Sequence, residues 1–206
     1  MVADGVVQVD SAGVAAVAGM PACDVSSALV TQSVARRHTG GEDPGTLLAG
    51  HSARAVIPAL VQDADLVLPL ERFHRAELAR LAATARPRTF TLRQAAALSA
   101  VVGTSLASQE IPTGAPPMPG DAVARLQWWV GELDAARGLV PRPPEVTDAA
   151  PDSPESWHPD DVPDPHLLGS QIHGPVMDLA EQQVLAIASA ITQVLGFDGA
   201  PPTDGR

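Results

Sequence analysis

The chain is poor in the residues that build covalent or polymetallic scaffolds: it has one cysteine, Cys23, in 206 residues. A single thiol excludes an intramolecular disulfide framework and a multi-cysteine zinc site, and it makes a reducing, cytoplasmic setting the expectation. Positive charge is also scarce, with 13 Lys plus Arg against 24 Asp plus Glu and a net charge of −11. That balance argues against nucleic acid or an anionic membrane surface as a partner, because both are bound through dense positive charge. No apolar run approaches the roughly 20 residues needed to span a bilayer. The opening MVADGVVQVD has neither a basic n-region nor an apolar segment of signal-peptide length, so export is not expected. Tyrosine is absent, alanine and valine dominate, and arginine greatly outnumbers lysine, the bias of a GC-rich bacterial gene.

What is present is 45% hydrophobic residues, enough for one domain with a real core. Gly5 to Asp10 (GVVQVD) reads as a buried strand running into the turn Ser11-Ala12-Gly13. Asp24 offers an N-cap for a helix reaching about His38, with Arg36 and Arg37 at the end that favours positive charge, and GGEDPG closes it. A weak helical signal over Ala55 to Gln62 precedes the apolar run Ala64 to Leu70, a second strand candidate. ERFHRAELARLAATA, from Glu71, is an amphipathic helix with Phe73, Leu78 and Leu81 on or near one face. Arg88 to Leu92 (RTFTL) is a third strand candidate, followed by the helical RQAAALSAVV. Strands alternating with helices at this spacing predict an α/β domain built on a doubly wound parallel sheet flanked by helices.

Beyond Gly103 the pattern changes. Asp121 caps a short helix carrying Leu126, Trp129, Val130 and Leu133 and closed by Gly138, with one of the paired Trp128 and Trp129 rings expected to face the core. Pro141 to Pro165 holds eight prolines and seven carboxylates, too polar and kinked to form core, and reads as an insertion or flexible lid. Amphipathic order returns from Val176 to Leu195, where Val176, Ala180, Val184, Ile187, Ile191 and Val194 form a stripe. The expected organisation is one domain over 1–198, with 103–160 inserted and 199–206 a disordered tail.

VDSAG (from Val9), AGHSARAV (from Ala49), ADLVLPLERFHRAELARL (from Ala64), RTFTL and DDVPDPH (from Asp160) follow one another in an order that resembles the low-molecular-weight protein tyrosine phosphatase family. The resemblance covers most of the chain, from about Val6 to Leu195. It implies a phosphotyrosine or aryl phosphomonoester hydrolase working through a cysteinyl-phosphate, with a phosphorylated protein or aryl phosphate as substrate and no cofactor. It further implies that Asp164, held between Pro163 and Pro165, is the general acid. Ser11 and His51 would support the phosphate loop through hydrogen bonds, and His166 and Leu167 would line the substrate cleft where the family usually has an aromatic residue. From the residues alone, His166 is either a hydrogen-bonding group for a phosphate or a solvated loop residue, and the second reading is the simpler.

The family's nucleophile motif is missing. It consists of a cysteine, five intervening residues and an arginine, whereas six places after Cys23 stands Leu29. Cys23 falls at a helix start, where a thiol can have a lowered pKa, but reads as a semi-buried packing thiol. Aligned on VDSAG, the family's first strand and nucleophile loop would lie upstream of Met1, so the chain as given is expected to be inactive. Since the resemblance implies a sheet order of 2-1-3-4, the missing strand is an interior one. The alternative is a non-catalytic relative with a binding or regulatory role. The related arsenate reductases need further cysteines and are excluded by the single thiol. No metal site is expected: His158 with Asp160, Asp161 and Asp164 suits a divalent ion by residue type but reads as a solvated acidic face.

Overall fold

The structure, a computed structural model, describes residues 7–37, 48, 50–108, 118–140 and 156–196. Seven α-helices are seen among them: α1 Asp24–Arg37, α2 Pro58–Asp63, α3 Arg72–Leu81, α4 Leu92–Ser108, α5 Ala122–Ala135, α6 Pro165–Leu168 and α7 His173–Leu195. A 3-10 segment, Ala83–Arg88, follows α3, and another, Ser170–Ile172, leads into α7. Local chemistry accounts for the boundaries. The Asp121 carboxylate accepts from the Ala124 amide at 2.9 Å and caps α5, as the sequence suggests. Pro58 and Pro165 open α2 and α6, where the missing amide hydrogen has no intrahelical partner to lose. Gly196, at φ +75°, ends α7 in a left-handed turn.

The main core lies where α4, α5 and α7 meet. Ala95, Leu98 and Val102 of α4 face Trp129, Val130 and Leu133 of α5 and Val176, Ile187 and Val194 of α7, with Phe90 at the base. Trp129 is 1% exposed while Trp128 packs partly buried against the same cluster, so the pair divides into a core ring and a covering ring. A smaller cluster of Val61, Leu78, Ala82 and Ala85 joins α2 to α3 and the 3-10 segment after it. Among the described residues no helix is long and apolar enough to cross a membrane.

The doubly wound parallel sheet is not found: the described residues contain no sheet. What stands in its place is two isolated parallel bridges, Gly13 with Ala55 and Val67 with Thr89. The second is made by the Val67 amide donating to Arg88 O at 2.9 Å and the Phe90 amide donating to Val67 O at 3.1 Å. Two physical reasons explain why pairing stops there. Parallel pairs are the weaker kind and need flanking strands and covered faces, yet no described strand lies between the two bridges. Val9, expected in a buried strand, is 86% exposed, so its side chain adds no buried apolar contact there. The alanine-rich α4 instead packs directly on α7 and α5, and helix-on-helix burial replaces helix-on-sheet burial.

Other expectations need revision. Phe73 is 62% exposed and Leu81 is exposed, so Leu78 alone of the predicted α3 face is buried. Val184 is exposed, which narrows the α7 stripe. Of the Pro-rich segment, residues 156–164 are docked rather than lid-like, with Val162 1% exposed inside the main core. Val6, His38, GGEDPG, residues 141–155 and the expected tail at 199–206 lie outside the described residues.

Candidate functional site

The segment bearing Asp164 is fastened just before it. Val162 plugs into the core and its amide donates to Leu70 O at 2.8 Å. Arg93, on α4, donates through Nη1 to His158 O at 3.1 Å and to Asp161 O at 3.2 Å. Burial pushes the Arg93 guanidinium pKa down, against the opposing pull of Asp160 and Asp161. The Asp161 carboxylate in turn accepts from the Arg72 amide at 2.8 Å and from its Nε at 3.2 Å. These contacts carry the chain to Pro163 with little freedom left, and Asp164 follows.

The Asp164 carboxylate is turned back on its own element. Its Oδ1 accepts from the His166 amide at 2.9 Å and caps α6, and the side chain is exposed. After α6, Gly169 at φ +102° reverses the chain, a conformation L side chains adopt only with strain. A Cβ there would also meet the Gln171 side chain at 3.1 Å. This turn brings His166 against His173, the first residue of α7: their rings meet edge to face at 4.9 Å between centroids.

Cys23 completes a cluster from the far side of the sequence. Its Sγ lies 4.0 Å from His173 Nε2 at the start of α1. One ligand-type atom from each of Cys23, His166 and His173 lies within 4.8 Å of the other two. His173 is 5% exposed, Cys23 is half-buried and His166 is exposed. The Ser26 amide in the first turn of α1 holds the Cys23 thiol below its usual pKa. The Val25 amide and the Ser26 hydroxyl reinforce that pull, while partial burial and Asp24 oppose it.

Of the residues the sequence singles out, the structure brings His166 into this cluster, with Asp164 bracing its backbone. Leu167 is exposed. Ser11 and His51 are both exposed and sit where the first segment meets the HSAR segment: Arg54 Nε donates to Ser11 O at 2.7 Å, and the Gly13 amide donates to Arg54 O at 3.0 Å. The His158, Asp160 and Asp161 group is occupied with its own loop, since His158 Nδ1 accepts from the Asp160 amide at 3.1 Å and Asp161 is paired with Arg72. Sequence reasoning missed His173 and set Cys23 aside as packing. The one available signal was the pair of histidines flanking a glycine in HLLGSQIH; nothing local to Cys23 points 150 residues ahead.

A separate cavity of about 310 Å³ opens beside α3, lined by Arg72, Arg75, Arg86, Thr89 and Arg137 among others. Its arginines are largely committed to structure. Arg72 holds Asp161, Arg75 donates to Gln94, and Arg137 donates to Arg86 O and Thr89 O while lying 4.0 Å over the Phe90 ring.

Compared with known proteins, the chain matches no family model, no curated protein and no solved structure.

Proposed function

We propose that the chain is a non-catalytic cytoplasmic protein with a binding or regulatory role, that its resemblance to the low-molecular-weight protein tyrosine phosphatases is confined to short sequence motifs, and that it does not itself turn over phosphomonoesters. The observation that carries this reading is the state of the two groups that the chemistry would need. The Asp164 carboxylate accepts from the His166 amide as a helix cap. The sole thiol, Cys23, is faced by the His173 imidazole and has no arginine six residues on. A general acid alone contributes on the order of a hundred- to ten-thousand-fold. Without the thiolate cradle that binds and attacks the phosphoryl group, that factor has no step to accelerate.

The test is turnover of p-nitrophenyl phosphate by the purified chain, beside its Asp164→Asn and Cys23→Ser variants. The expected result is no release above the buffer rate in any of the three. Turnover by the parent chain that both substitutions abolish would overturn the reading and restore the hydrolase.

A further inference from the structure

The geometry points to a divalent-metal site, of the zinc class, held by Cys23, His166 and His173 where the starts of α1 and α7 meet α6. The inference does not depend on the phosphatase-related reading, since it concerns the donor set alone. Among the described residues one group of three Cys, His, Asp or Glu side chains has ligand atoms this close together. Zinc binds sulfur at about 2.3 Å and imidazole nitrogen at about 2.0–2.1 Å, so tetrahedral angles place its ligand atoms about 3.3–3.6 Å apart. The 4.0 Å between Cys23 Sγ and His173 Nε2 is near that value. The 4.8 Å limit for the trio asks for a closure of about 1–1.5 Å toward tetrahedral spacing. His166 has room to supply it, being exposed on a four-residue helix between Pro165 and Gly169.

The surroundings of His173 place the ion on its Nε2 side. His173 is 5% exposed, yet its Nδ1 is buried with no hydrogen-bond partner among the described residues. A buried histidine kept for packing is normally held in one tautomer by partners on its ring nitrogens. This ring has the thiol at Nε2, no partner among the described residues at Nδ1 and a second imidazole edge-on beside it. An ion at Nε2 would fix the tautomer by leaving the ring proton on Nδ1, and would tie the thiol and the second imidazole to this ring.

The donor set selects the metal. One thiolate with two imidazoles is borderline-soft, which favours zinc or cobalt over the oxygen-seeking magnesium and calcium. Three protein ligands leave one of four positions for water or an exogenous ligand. Binding requires the thiolate, so one proton leaves Cys23 as the metal enters.

The experiment is a titration of the untagged full chain, stripped with a chelator and dialysed, with Co²⁺ alone and then with Zn²⁺ as competitor. One equivalent of Co²⁺ is expected to develop a sulfur-to-metal charge-transfer band and the intense visible bands of tetrahedral cobalt, both erased by one equivalent of Zn²⁺. Cys23→Ser should remove the charge-transfer band, and His166→Ala should weaken Co²⁺ binding at least about tenfold, as loss of a metal's supporting groups commonly does. His173→Ala should do the same. Because that residue is buried, its circular dichroism is recorded alongside, and His166→Ala, at an exposed position, carries the test if His173→Ala does not fold. Absence of any stoichiometric cobalt spectrum, or a spectrum unchanged in Cys23→Ser and His166→Ala, would overturn the assignment. Neither outcome bears on aryl-phosphate turnover, so failure of this inference and failure of the phosphatase-related reading are distinguishable.

Discussion

Truncation of Val162 to alanine tests whether the segment before Asp164 belongs to the core. The side chain is 1% exposed and packs into the main cluster, and the amide of the same residue donates to Leu70 O at 2.8 Å. Val162→Ala removes two methyl-sized groups, worth about 0.8 kcal/mol each in lost transfer energy. A residual cavity on the order of 40 Å³ adds about 1 kcal/mol at 24 cal/mol per Å³. The expected loss is therefore about 2.5 kcal/mol. With a urea m-value of about 2 kcal/mol/M, the unfolding midpoint should fall by roughly 1.2 M. Phe73→Ala is the control: it deletes a larger side chain that is 62% exposed, and should change stability by about 0.5 kcal/mol or less. Hydrogen exchange adds a local readout, because the Val162 amide should lose protection along with the midpoint. A midpoint within about 0.2 M of the parent, or a larger effect from Phe73→Ala, would refute the docking of residues 156–164 and with it the placement of Asp164 and His166.

Two further predictions concern the helices. Asp121→Ala should cost about 1 kcal/mol by deleting the α5 cap, seen as a Tm lower by roughly 2–4 °C, whereas Asp121→Asn should retain most of it; equal losses would count against the cap. On α7, the Ser33 hydroxyl and then Arg37 hold the Glu181 carboxyl below its usual pKa of 4.5, so its contribution to stability is complete above that value and disappears as pH falls through the lower folded-state pKa. The Tm difference between the parent chain and Glu181→Gln should therefore be largest near pH 7 and shrink below about pH 4.5, and a difference that is flat from pH 3 to 7 would sink this account.

Helices were legible because their signals are local. Asp121 before an apolar run gives the α5 cap, and the spacing of Val176, Ile187 and Val194 gives the α7 face. The sheet was misjudged because strand identity depends on neighbours. GVVQVD and RTFTL have similar β-branched content, yet Thr89, Phe90 and Thr91 are buried with a partner while Val9 stands in solvent. Proline and acid content misled in the opposite direction over residues 156–164. There one apolar residue, Val162, and two arginines from other helices, Arg72 and Arg93, secure a segment whose composition alone suggests a loose loop.

The Cys23, His166 and His173 cluster was not legible because it is a product of helix pairing, and the contacts between α1 and α7 account for how it is held. Cys23 meets His173 at the start of the pair, and further along Glu181, in the first half of α7, accepts from the Ser33 hydroxyl and from Arg37 Nε at 2.8 Å. From Cys23 to Ser33 is about 15 Å along a helix and from His173 to Glu181 about 12 Å, at 1.5 Å per residue. The two helices therefore run in the same direction along α1 and the first part of α7. A parallel pair of helices needs a long connection, and here the whole of α2 to α6 lies between them. The thiol and the buried imidazole are thus brought together by the closure of the entire chain, while Gly169 alone folds His166 back onto them. Two of the three ligands depend on the global fold and one on a local turn, which is why the exposed His166 can be replaced without dismantling the core that positions the other two.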